Sequence, residues 1–199
     1  METFTELELS PEDAAAAANM RIAHAAALFR AFPEIAEDMA ARPAPELSSP
    51  RFLRQLQEGT TPEEAITFAA YALQARHAVW WAHECLQTLP ELLTEDDRQI
   101  LSLCAVWAAE PTEDNRRTVL DAGMAARARG PGVWVALAAG WSGGSMAPAD
   151  SPDVPAPEFL TGRAVNAGVL SMLARVPVEQ RRRRLSHFVG MAEVLAGTG

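Results

Sequence analysis

Val133-Trp134-Val135-Ala136-Leu137-Ala138-Ala139, continuing at once into Gly140-Trp141-Ser142-Gly143-Gly144, is the stretch on which the fold turns. Read as a strand, the apolar run leads into a G-x-S-x-G pattern, the strained strand-to-helix elbow that lifts a nucleophilic serine above a sheet. Read as a helix, the run is apolar all round and therefore central. Its alanines favour the helix, and no other segment alternates at period two to supply a partner strand. The residues behind the serine also oppose the elbow, because Pro148 and Pro152 leave no room for a helix after Ser142. A catalytic triad would need an acid and then a histidine downstream, and only His187 is available there, on the basic side of the last helix. The expected role of the turn is close backbone approach, anchored by Trp141. A small serine hydrolase using Ser142 is kept as the alternative.

On either side of this run, helix starts are written into the chain. Ser10-Pro11-Glu12-Asp13 and Thr61-Pro62-Glu63-Glu64 each offer a capping hydroxyl, a first-turn proline and acids for the positive end of the dipole. Thr94-Glu95-Asp96-Asp97 and Thr112-Glu113-Asp114-Asn115 are weaker versions, and Pro157 and Pro177 suit the first turns of two more helices. Gly130 and Gly197 read as stops. Between these marks the apolar period is helical, and the long run after Thr61 is expected to break near Gln74–Arg76. Pro43 to Pro50 reads as a linker, and Ala147 to Pro157, with four prolines, as a long loop. The expected fold is all-α: a compact antiparallel array of about six or seven helices over residues 51–199, preceded by an N-terminal helical hairpin and its linker over 1–50.

Composition removes several functions. The 199 residues carry a net charge of -9, which argues against a nucleic-acid or anionic-membrane binder. All 17 basic residues are Arg; the absence of Lys excludes P-loop and Schiff-base chemistry. Two cysteines, Cys85 and Cys104, are too few for a disulfide framework and sit at helical spacing among apolar residues, so buried free thiols are expected. Four scattered histidines form neither H-E-x-x-H nor a C-x-x-C companion, so no metal and no cofactor is expected. His24 and His77 fall on apolar stripes and read as core histidines bonded to a carbonyl. The acidic start Met1–Glu6 is unlike a secretory signal, and the apolar part of the longest uncharged stretch is far short of the ~20 residues a bilayer requires. The expected setting is cytoplasmic and reducing, without membrane insertion.

Charge and aromatics supply the candidate contacts. Residues 1–64 are net -7, 65–150 net -4 and 151–199 net +2. Arg181-Arg182-Arg183-Arg184 spans a full helical turn, so these four cannot all face one partner. It reads as a solvated face, or as a docking patch for an acidic protein surface. Trp80 and Trp81 lie about 100° apart on one helix, so unless the site is crowded one of them is at an edge, where Trp serves as an interface anchor.

The order Ala78-Val79-Trp80-Trp81-Ala82, Trp107-Ala108-Ala109-Glu110-Pro111 with Asn115-Arg116-Arg117, Trp134-Val135-Ala136-Leu137-Ala138 and Trp141-Ser142-Gly143-Gly144-Ser145 resembles an uncharacterised family of bacterial all-helical proteins associated with type VI secretion gene clusters. Val154 with Pro155, Pro157 and Leu160-Thr161 continues the pattern, and Arg184-Leu185-Ser186-His187-Phe188 with Gly190 fits its tail. The resemblance covers roughly residues 63–197. It implies no activity, only an accessory, adaptor or chaperone-like role near a secretion apparatus. The expected function is a non-catalytic intracellular interaction module. It would bury an apolar patch with an aromatic anchor, rimmed by Arg, against a protein partner. Trp80, Trp141, Arg116, Arg181 and Arg184 are the candidate contacts, and an immunity protein for a toxin is the further alternative.

Overall fold

The computed structural model describes residues 9–148 and 151–197. Their helices are α1 (Pro11–Ala16), α2 (Ala25–Ala31), α3 (Ile35–Asp38), α4 (Ser49–Glu58), α5 (Glu63–Ala72), α6 (Ala75–Gln87), α7 (Glu95–Ala109), α8 (Glu113–Ala125), α9 (Pro131–Gly140), α10 (Phe159–Arg175) and α11 (Val178–Gly197). Among the described residues there is no strand, only three isolated bridges. The deciding stretch is therefore helix. Gly130 does not stop α8; it is the extended N-cap of α9, with Pro131 behind it in the first turn. α9 packs against α6, α7, α8 and α10, and every residue in it except Trp134 is buried.

Local chemistry sets most boundaries. Thr94 and Asp97 form a reciprocal capping box at α7, and Asp97 also accepts a hydrogen bond from the Gly132 amide at 2.9 Å, tying the starts of α7 and α9 together. Ser10 and Thr112 cap α1 and α8 as expected. At α5 the expected hydroxyl cap is missing: Pro62 takes helical angles and occupies the cap position. Glu64, expected to serve the helix dipole, instead accepts the Ala40 amide at 2.6 Å. The expected break falls between Ala72 and Ala75, with Gln74 as the N-cap of α6.

Eight helices, α4 to α11, come after residue 48, where about six or seven were expected. The extra one is α4: Ser48 caps it, Pro50 sits in its first turn, and Phe52, Leu53 and Leu56 are buried. The expected N-terminal hairpin is instead three short helices. α1 packs on α4 and α11, and α3 on α5. The intervening chain is strapped down by backbone bonds, Asn19 N–H to Ala196 O at 2.8 Å and Arg21 N–H to Ala72 O at 2.7 Å among them. One apolar core runs from Ala17 and Leu28 through α9 to Ala196. The acidic start Met1–Glu6 lies outside the described residues. No helix among the described residues is long and apolar enough to cross a membrane.

Candidate functional site

The G-x-S-x-G turn is explained by packing. A Cβ on Gly140 would lie 2.7 Å from Leu120 Cβ and 3.0 Å from Leu120 Cα, so α8 and α9 can cross there only with glycine. Gly144 has φ +60, and a Cβ there would strike the Arg116 guanidinium at 2.7 Å. Arg116 is the pin of the turn. Its guanidinium donates to both carboxylate oxygens of Glu113, to Gly140 O and to Ser145 O. It is 4% exposed, and its donors are taken by the Glu113 carboxylate and by two buried carbonyls, so it is a fold contact where a surface contact was expected. The bonds from Arg116 hold the Glu113 carboxyl below its usual value. Ser145 Oγ accepts the Val154 amide at 3.0 Å, closing the proline-rich loop onto the turn.

Ser142, just past α9, donates its hydroxyl to Ala139 O in the last turn of that helix at 2.7 Å. A helix precedes it and an irregular turn comes after it, the reverse of an elbow. Ser142 lines two pockets, of about 450 Å³ with Arg21 and Thr161, and about 300 Å³ with Trp107 and Arg116; no histidine lines either. Trp141 is half-buried, ends α9 and lines the first of these pockets. His187 lies elsewhere, on the α11 side of a separate groove.

That groove, about 590 Å³, lies between α6 and α11. Trp80 and Met191 line it, and Glu84, His187, Gly190 and Val194 stand around it. The two helices run in opposite directions. Asn19 bridges the end of α11 to Gln74 at the start of α6, and Trp81 Nε1–H donates to Phe188 O at 2.8 Å midway. Trp81 is buried and holds the wall together; Trp80, 36% exposed, is the edge residue of the pair. Its ring stacks on His83 at 5.0 Å and 14°, and His83 Nδ1 lies 3.0 Å from Glu84 Oε1. Trp80 also lines a second depression, of about 440 Å³, with His77 and Ala105, so its ring separates two hollows on one face. Val194 is 67% exposed beside it.

The arginine run divides as helical geometry requires. Arg181 turns back and donates to Ala174 O and Val176 O, finishing α10, so it is a fold contact rather than a free binding group. Arg182, Arg183 and Arg184 have no ion pair or hydrogen bond among the described residues. Arg183 and Arg184 stand seven residues, about two turns, before Gly190 and Met191, on the same stripes of α11. Of the five expected contacts, the structure brings Trp80 and Arg184 to one face, leaves Trp141 at the serine turn and assigns Arg116 and Arg181 to the frame. Gly190, which lines the groove, and Arg183, on its stripe, were not among the expected contacts. Stripe counting on α11 marks Arg183, whereas Gly190 acquires meaning only once its surroundings are known.

Other reactive groups are quiet. Burial pushes the Cys104 thiol up to about 12 and the Cys85 thiol well above its usual value, so neither is a thiolate at neutral pH. His24 Nε2 and His77 Nδ1 are buried without hydrogen-bond partners, where a carbonyl was expected. Burial, and then the neighbouring Arg76, holds His77 toward its neutral form. No group of three His, Cys, Asp or Glu among the described residues is arranged to hold a metal.

The fold and the groove describe an all-helical protein with an apolar groove between α6 and α11, and with Arg183 and Arg184 on the α11 stripes that lead to it. The chain belongs to DUF6931, a family of unknown function, which it matches over residues 52–196. No curated protein and no solved structure matches it.

Proposed function

We propose that this chain is a non-catalytic intracellular protein-interaction module, an adaptor or chaperone-like accessory, that receives its partner on the α6/α11 face. The single observation that carries the reading is Trp80, a large aromatic left at the lip of an apolar groove and braced from behind by His83. A partner that covers it gains apolar burial with little ordering cost, because the ring is already held. The resemblance to proteins associated with type VI secretion clusters directs the search for that partner to components of such an apparatus.

The test is recovery of a stoichiometric protein from native lysate by wild type and by Trp80→Ala. Recovery by wild type and loss in Trp80→Ala, with circular dichroism unchanged, supports the reading. Equal recovery, or none by either, overturns it. A recovered toxin would make the chain an immunity protein. Labelling of Ser142 by a fluorophosphonate probe in folded protein would establish the hydrolase alternative; no labelling is expected, since the hydroxyl is bonded to Ala139 O and no histidine lines either of its pockets.

A further inference from the structure

We propose that the occupant of the α6/α11 groove is an amphipathic helix of a partner protein, carrying acidic residues at the end that reaches Arg183 and Arg184. This rests on the interaction-module reading and adds the chemistry of the partner.

Gly190 points to close approach. It lies in the interior of α11, where glycine weakens a helix relative to alanine. A Cβ there would meet nothing within 4 Å, so no contact among the described residues requires the glycine. A bare backbone on the wall of an open groove lets a second backbone come near, the use of small residues where helices cross closely.

The groove's shape selects a helix. Its α11 wall runs from Ser186 to Leu195, about 15 Å or nearly three turns. Both walls are helices whose backbone groups are already bonded internally, so an extended segment would find no ladder to join. A helix brings its own bonds satisfied and needs only an apolar stripe at i, i+3, i+4 and i+7.

Charge selects the helix's acidity. Glu193 pairs with Arg54 at 3.6 Å, and Glu84, on the α6 wall, lies 3.0 Å from the His83 ring and keeps a partly exposed carboxylate. Arg183 and Arg184, which continue the groove wall, are not neutralised by any described residue. Against Glu84 on the groove and Glu179 one turn before Arg183, the three arginines 182–184 leave that end positive in a chain of net charge -9, and an acidic helix end is its complement.

The test places a benzophenone amino acid at Val194 of the full chain, with Met124, also exposed and on α8, as the control position, and maps the photocrosslinked peptide in the native cells. The expected product is one partner segment with a helical apolar stripe and acids at the end facing Arg183. A synthetic peptide of that segment should bind at least tenfold more weakly to Arg183→Glu/Arg184→Glu, and more weakly as salt rises. Gly190→Leu should reduce binding at least tenfold while leaving the melting temperature unchanged or higher. A mapped segment that is extended, lacks acids, or comes from a second copy of this chain overturns the proposal. So does full binding by Gly190→Leu, or by Arg183→Glu/Arg184→Glu. If Val194 crosslinks no better than Met124 while Trp80-dependent capture persists, the helix-in-groove proposal falls and the module reading stands. If capture is absent as well, both fall.

Discussion

Gly140 and Gly190 sit in helices of one small protein and answer to different demands. Around Gly140 every direction is occupied: Leu120 presses against the site of the missing Cβ, and Arg116 gathers the carbonyls beyond it. Around Gly190 the missing Cβ would find open space. The first glycine is required by the fold, and its neighbourhood holds the most suggestive motif in the chain. The second is required by nothing among the described residues, and its neighbourhood carries no motif. A motif-like glycine can thus be spent entirely on packing, whereas a glycine inside a helix and beside a groove can lack any packing reason among the described residues.

Substitution tests this contrast, beginning with the largest effect. Gly140→Ala forces a Cβ into Leu120 and should lower stability by about 3 kcal/mol in urea unfolding. A loss near zero would show that α8 and α9 can separate there and would remove the packing account of the turn. Arg116→Met strips the buried Gly140 and Ser145 carbonyls of their donor and should cost about 2 kcal/mol. Gly190→Ala should do the opposite, raising stability by about 0.5–1 kcal/mol, because it adds helix propensity without a clash. A destabilising Gly190→Ala would place that glycine in the same class as Gly140.

A smaller effect isolates the role of Arg116. The Glu113 carboxyl is held below its ordinary value of 4.5 by the hydrogen bond from Arg116. Its contribution to stability is complete above that ordinary value and is lost as pH falls through the lower folded-state value. The acid limb of the stability profile should therefore flatten in Arg116→Met, read by thermal melts across that range. Gly143→Ala is the internal control. With nothing within 4 Å of its Cβ position and no positive φ, it should change stability by less than about 0.5 kcal/mol.

Legibility in the sequence tracked the range of the interaction. Helix class was readable because apolar period and capping are local: Ser10, Thr94 and Thr112 each cap within three residues of themselves. α4 was missed because Pro43 to Pro50 looks like a linker, although Pro50 in a first turn is helix-compatible. The absent hydroxyl cap at α5 was unreadable for another reason: Glu64 is claimed by the Ala40 amide from outside the helix. At the candidate site, the choice of Trp80 came from its adjacency to Trp81 on one helix. Arg116 was misjudged because a charged residue in an N-R-R triplet looks solvent-facing, and its partners Gly140 and Ser145 lie 24 and 29 residues away.

The order of residues was enough to show that the chain is helical, that residues 133–140 belong inside, and that two adjacent tryptophans are both buried only in a crowded site. These rest on the helical period and on the cost of exposing an apolar run. The three-dimensional packing was needed to show that the serine turn is a packing device, that Arg116 and Arg181 are fasteners, and that Gly190 opens onto a groove. Each depends on which atoms other helices bring within a few ångströms, and no local pattern records that.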